Sequence, residues 1–119
     1  MSVRHALLAL LSEGPKYGLR LRQEFEARTG HRILERYGMT ETGMITSNPF
    51  AGERRPGTVG YPLPGTSVRV VGDDGTPCAA VEVGHIQVKG DNVLPGYWRM
   101  PEKNKEEYTP DGYFRTGDV

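Results

Sequence analysis

The stretch Tyr37-Gly38-Met39-Thr40-Glu41 stands where the sequence changes from helical to strand-and-turn composition, and it carries the most chemistry. Tyr37 offers a flat face on which a purine can stack, and Gly38 lets the backbone come close to a ligand. Thr40 supplies a hydroxyl for a phosphate oxygen, and Glu41 supplies a hard oxygen for Mg²⁺. Met39 would then face whatever group is activated at the nucleotide. The residue types predict a nucleotide site; the alternative is a simple turn with a capped end.

Two short helices are predicted before this stretch. Val3–Ser12 is mostly apolar, with Ser2 as its cap, and Gly14-Pro15 ends it. Residues 17–28 follow as a second, amphipathic helix, with Thr29-Gly30 as its stop. A short link or strand over residues 31–36 leads into the stretch.

After the stretch, Gly and Pro recur every few residues, which indicates strands and turns. Alternating apolar residues predict strands around residues 68–70 and 86–88. Further short strands are predicted at 58–61 and 112–119, and one exposed helix at 101–108, with Pro in its first turn. We therefore expect an α+β fold, with a helical hairpin before a mostly β unit of about five short strands.

Near the end of the chain, Asp118 follows the flexible Gly117. A carboxylate in such a place can accept both hydroxyls of a ribose, as carboxylates do in dinucleotide sites. A hairpin turn with a solvated acid is the alternative for this residue taken alone.

Taken together and in order, three runs resemble the adenylate-forming superfamily of ATP-dependent acyl-CoA synthetases. They are residues 37–41, residues 90–98 and residues 111–118. The segments 46–49 and 97–103 resemble the malonyl-CoA synthetase branch in particular. The resemblance covers about residues 24–119.

This resemblance implies a role for each matching residue. Tyr37 would stack on adenine, Asp118 would hold the ribose, and Met39 would border the acyl pocket. Thr40 and Glu41 would act at the reacting phosphate, with Glu41 as the Mg²⁺ ligand. The implied cofactors and substrates are ATP or AMP, Mg²⁺, CoA and a malonate-like carboxylic acid, which is activated as an acyl-adenylate before the CoA thiol displaces AMP.

The resemblance also implies a small, distorted β-barrel over residues 57–98. Three positions depart from the family pattern and weaken this part, namely Val81, Asp91 and Pro95. The family's phosphate loop and its lid with a catalytic Lys are not among these residues. Because positioning and charge neutralisation supply most of the rate in phosphoryl chemistry, we expect no measurable acyl-CoA synthesis from these 119 residues alone.

Residues 1–28 resemble a different family, the PadR-like transcriptional regulators, which are winged-helix DNA-binding proteins. The first helix, the Gly-Pro break and the Tyr17-Gly18 opening of the second helix carry this resemblance. We expect no DNA binding, because no candidate recognition helix follows Thr29 and residues 1–36 have a net charge of only +3. The expected division is therefore 1–30, a helical hairpin, and 31–119, part of an AMP-binding synthetase domain.

Composition sets further limits. Fifteen basic and fifteen acidic residues cancel, so the whole chain has no charge that favours nucleic acid or anionic membranes. Cys78 is the only cysteine, so no internal disulfide can form, and a reduced, cytoplasmic setting is expected. No apolar run approaches the roughly 18 residues of a membrane-spanning helix.

Three functional hypotheses remain open from the sequence. The first is part of an acyl-CoA ligase that keeps some of the AMP and Mg²⁺ site. The others are a DNA-binding regulator fragment and a hybrid or truncated product without evolved activity. Apolar faces that meet the rest of a synthetase would be bare here, so we also expect some self-association.

Overall fold

The computed structural model describes residues 2–119, which form two compact units. The first unit ends at Leu34 and the second spans Glu35–Val119. The α+β class is confirmed. The elements, in chain order, are α1 (Val3–Ser12), α2 (Gly18–Thr29), β1 (Arg36–Met39), β2 (Gly43–Ser47), β3 (Tyr61–Pro62), β4 (Thr66–Val71), β5 (His85–Gly90), α3 (Pro101–Glu107) and β6 (Phe114–Arg115).

The first unit is a hairpin of α1 and α2, and both helices end where their sequences predict. The side chain of Ser2 accepts a hydrogen bond from the backbone N–H of His5 at 3.4 Å, which caps α1. Gly30 takes a left-handed conformation (φ 69°) and closes α2. Leu10 on α1 and Phe25 on α2, each 2% exposed, are the buried apolar residues of the hairpin.

Ion pairs fasten the two helices of the hairpin. Glu13 accepts two bonds from the Arg28 guanidinium, at 2.6 and 2.9 Å, and a third from Lys16 at 3.0 Å. Lys16 also donates to Glu24 at 2.5 Å. Arg28 and then Lys16 lower the pKa of Glu13 to about 2, so this carboxylate stays charged at any pH near neutral.

The second unit contains two three-stranded antiparallel sheets. The first has the order β1-β2-β3, and the second has the order β4-β5-β6. Val88 and Phe114 face each other across β5 and β6 and are almost fully buried. Ile45 on β2 and Val71 on β4 are the other buried apolar residues. None of the described helices is both long and apolar enough to cross a membrane.

Several details differ from the sequence expectations. Within residues 2–119 the sheets do not close into a barrel, because each is only three strands wide. Strand β2 was not expected at all, and the strand expected at 58–61 lies at Tyr61–Pro62. The long final strand is reduced to Phe114–Arg115. Gln87, between the apolar residues of β5, is only 6% exposed, and Arg69 donates to its side-chain oxygen at 2.8 Å.

Acidification should weaken the helical hairpin. The pKa of Glu13 is lowered from 4.5 to about 2 in the folded chain, so its ion pairs contribute stability that is fully present above about pH 4.5. This contribution is lost as the pH falls toward 2. The melting temperature of the helices, followed by circular dichroism, should fall less on acidification in the Glu13→Gln variant than in the unmodified chain. Equal pH dependence in the two proteins would contradict the role of these pairs.

Candidate functional site

The five residues of the 37–41 stretch span a strand and the turn after it. Tyr37, Gly38 and Met39 lie on β1, and Thr40 and Glu41 lie in the turn that leads to β2. This turn is closed by a hydrogen bond from the Thr42 N–H to the Met39 carbonyl at 3.2 Å. The stretch is therefore the tip of a β-hairpin, which holds its strand and turn residues in a fixed relation.

The glycine of this hairpin makes a close backbone contact. A Cβ atom at Gly38 would lie 2.4 Å from the carbonyl oxygen of Gly43 on the paired strand. The pairing register also shifts at this point: Tyr37 pairs with Thr46, whereas Gly38 pairs with Met44. The sequence interpretation explained Gly38 by the approach of a ligand. In the structure the close approach is made by the backbone of β2.

Tyr37 and Asp118 meet, although 81 residues separate them along the chain. The Tyr37 hydroxyl donates a hydrogen bond to Oδ2 of Asp118. Both residues line a cleft with a volume of about 490 Å³. The residues lining this cleft are Tyr37, Val59, Ile86, Gly117, Asp118 and Val119.

The residues that line this cleft suit a ligand with a flat aromatic ring at one end and hydroxyl groups at the other. Val59 and Ile86 add apolar surface to the Tyr37 ring, and Asp118 adds an exposed carboxylate. Burial raises the pKa of Tyr37, the hydrogen bond to Asp118 raises it further, and the neighbouring Thr116 side chain offsets part of this rise. A phenol is neutral near pH 7 even at its ordinary pKa, and the net rise in the pKa of Tyr37 moves it further from ionisation, so it can donate to Asp118.

Met39, Thr40 and Glu41 do not line this cleft. Their turn is held by the segment 90–98 instead. The Asn92 side chain donates to the Thr42 carbonyl at 2.7 Å, and the Leu94 N–H donates to the Glu41 carbonyl at 2.9 Å. The Thr40 side chain is left exposed. The structure thus separates the cleft lined by Tyr37 and Asp118 from a turn that carries a hydroxyl and a carboxylate.

Glu41 is the predicted metal ligand, and its surroundings restrict how it can act. The Tyr97 hydroxyl donates to Oε1 of Glu41 across 3.4 Å. Among residues 2–119, no group of three or more His, Cys, Asp or Glu is placed to hold a metal ion. A lone carboxylate suits Mg²⁺ that arrives with a nucleotide, because this ion is usually bound through one or two carboxylates plus substrate phosphates and waters.

The model of the AMP-binding enzyme family matches residues 2–98 of the chain. The chain belongs to the AMP-binding enzyme family. The resemblance of its main part to acyl-CoA synthetases is thereby confirmed at the level of the family. The match also takes in the helical hairpin, whose resemblance to PadR-like regulators stays a prediction.

Individual relatives are similar over most of this chain. The chain is 50% identical to a malonate–CoA ligase of Arabidopsis thaliana over 96 residues, which are 81% of this chain and 15% of that protein. The solved structure of apo MatB from Rhodopseudomonas palustris is similar with a TM-score of 0.78 and 52% identity, over 88% of this chain and 21% of that chain.

A further solved structure is a malonyl-CoA ligase with methylmalonyl-CoA and AMP bound. It is similar with a TM-score of 0.73 and 46% identity, over 83% of this chain and 21% of that chain. The chain thus spans about a fifth or less of the length of each of these relatives.

Replacing Gly38 by Ala should destabilise the second unit. The added Cβ would lie 2.4 Å from the Gly43 carbonyl oxygen, so β1 and β2 must separate, at a cost of about 1–3 kcal/mol. The free energy of unfolding in urea measures this effect. Gly72→Ala is the matched control in the same unit, since its nearest neighbour is a side-chain oxygen of Asp74 at 3.3 Å. Equal stability of the two variants would show that the hairpin tolerates a side chain at Gly38.

Proposed function

We propose that these residues form part of the nucleotide-binding site of an ATP-dependent acyl-CoA ligase of the malonyl-CoA synthetase type. The observation that carries the proposal is the contact between Tyr37 and Asp118 at the mouth of one cleft. The two residues are the ones that the family resemblance relates to adenine and ribose. Relatives named as malonate–CoA ligases support the branch.

The cleft would hold the adenosine part of the nucleotide. The purine would lie against the Tyr37 ring, with Val59 and Ile86 covering apolar edges. The ribose hydroxyls would donate to the Asp118 carboxylate. One oxygen of this carboxylate already accepts the Tyr37 hydroxyl, and a carboxylate has further lone pairs to offer both ribose hydroxyls.

The hairpin turn would act at the phosphates. The exposed Thr40 hydroxyl would donate to a phosphate oxygen, and the Glu41 carboxylate would hold Mg²⁺ beside it. When bound, this ion neutralises charge on the phosphates during attack by the acyl carboxylate. Met39, on the strand just before, would border the acyl group. Malonate and CoA are the proposed substrates, and failure of these residues alone to complete the synthesis stays a prediction.

The ribose contact can be tested by binding. The chain should bind AMP more tightly than 2′,3′-dideoxy-AMP, because only AMP donates hydroxyl hydrogens to Asp118. Asp118→Asn should weaken AMP binding by about tenfold or more and remove most of this difference, since hydrogen bonds to a charged group contribute about 1.5–3 kcal/mol. Titration calorimetry or NMR shifts would give the dissociation constants.

Asp91→Asn is the matched control, because it removes the same charge from another exposed position of the second unit. This variant should bind both nucleotides as the unmodified chain does. Absence of AMP binding by the unmodified chain, or equal binding of the two nucleotides, would overturn the proposed site.

The role of Glu41 can be tested separately with metal. Glu41→Gln should weaken binding of Mg²⁺-ATP by about tenfold, while binding of ATP in the presence of a chelator stays unchanged. Bound Mn²⁺-ATP should broaden the NMR signals of the Thr40–Thr42 turn in the unmodified chain and much less in the variant. Glu53→Gln, an exposed acid elsewhere in the unit, is the control. Broadening that survives in Glu41→Gln would place the metal elsewhere.

A further inference from the structure

The hydroxyl of Thr116 connects the end of the chain to strand β5. Thr116 Oγ1 donates to the Ile86 carbonyl at 2.9 Å, and it accepts a hydrogen bond from the Asp118 N–H at 3.1 Å. The Thr116 hydroxyl therefore donates to β5 and accepts from the backbone of Asp118, the residue proposed to bind ribose.

Backbone bonds complete this connection. The Thr116 N–H donates to the Ile86 carbonyl at 3.2 Å, and the Ile86 N–H donates to the Asp118 carbonyl at 3.0 Å. The segment from Thr116 to Asp118 is thus closed on a single residue of β5. Ile86 also lines the cleft, so the segment is fixed against one of its walls.

Asp118 needs such support because of its position. It is exposed, and it follows Gly117, which has a left-handed backbone (φ 79°). A glycine can adopt many conformations, so it does not by itself direct the next side chain. The bond from the Asp118 N–H to Thr116 spans this glycine and restricts it.

We propose that Thr116 is a positioning residue for ribose recognition. Its hydroxyl holds the Asp118 backbone in the one conformation that keeps the carboxylate beside the Tyr37 hydroxyl, facing the cleft. The inference rests on the proposed function, because it assigns Thr116 a role in the same nucleotide site. Thr116 acts through Asp118 and does not itself contact the nucleotide.

The test compares AMP with 2′,3′-dideoxy-AMP on the 119-residue chain. Thr116→Val removes the hydroxyl at nearly constant volume and should reduce the preference for AMP by about tenfold, with little change in dideoxy-AMP binding. Thr116→Ser keeps the hydroxyl and should restore the preference. A merely structural role would weaken binding of both nucleotides equally.

Thr109→Val is the matched control. The Thr109 hydroxyl donates to Asp111 at 2.6 Å and accepts the Tyr113 N–H at 2.9 Å, so this variant loses the same kind of group in the same unit. It should lower the melting temperature and leave the preference for AMP unchanged. An unchanged preference in Thr116→Val, or a similar loss in Thr109→Val, would overturn the inference.

A measurement without nucleotide keeps the inference separate from the proposed function. Amide hydrogen exchange of Asp118 and Ile86 should be faster by about tenfold in Thr116→Val and near the original rate in Thr116→Ser. Unchanged exchange at both amides would overturn the positioning role whatever the chain binds. A chain that shows the exchange effect but binds no AMP would overturn the proposed function and, with it, the link to ribose, and would leave only the fixing of the Asp118 backbone by Thr116. If the valine variant does not fold, Thr116→Ala replaces it in each comparison.

Discussion

The hydrogen bond from the Tyr37 hydroxyl to Asp118 joins the two sheets of the second unit at the candidate site. Tyr37 belongs to β1 in the first sheet, and Asp118 follows β6 of the second. Burial, together with Asp118, raises the pKa of Tyr37 above its ordinary value, which favours the protonated phenol that donates this bond. This bond brings together two segments that lie far apart in the chain, and both of its residues line the cleft.

The supports on the two sides of this bond differ in kind. On the Tyr37 side, the hairpin is closed by strand pairing and by a glycine that lets β1 and β2 approach each other. On the Asp118 side, the chain is not inside a regular strand. Hydrogen bonds made by the Thr116 hydroxyl hold the backbone there instead. The site thus combines one rigid strand residue with one residue whose geometry depends on its neighbours.

The turn that carries Thr40 and Glu41 has a support of its own. Asn92 and Leu94 bond to the carbonyl groups of this turn, and the Tyr108 hydroxyl donates to the Leu94 carbonyl. The region that contains Asn92 and Leu94 is one that the sequence marked as part of the family pattern. In the structure this region holds the turn that carries Thr40 and Glu41, while the cleft beside Tyr37 and Asp118 is built from other parts of the chain.

Residue types and local patterns were enough to predict the two N-terminal helices and the strands around Val68 and Val88, and they made Tyr37 and Asp118 candidates for a site. Helix caps, glycine stops and alternation act within a few residues, so a single sequence shows them. The β1–β2 hairpin was missed because its strands are only four and five residues long and each contains a Gly. The contact of Tyr37 with Asp118, the strand contact at Gly38 and the linking role of Thr116 were decided by tertiary structure. They depend on strand register and on packing between segments up to 81 residues apart, which no local pattern records.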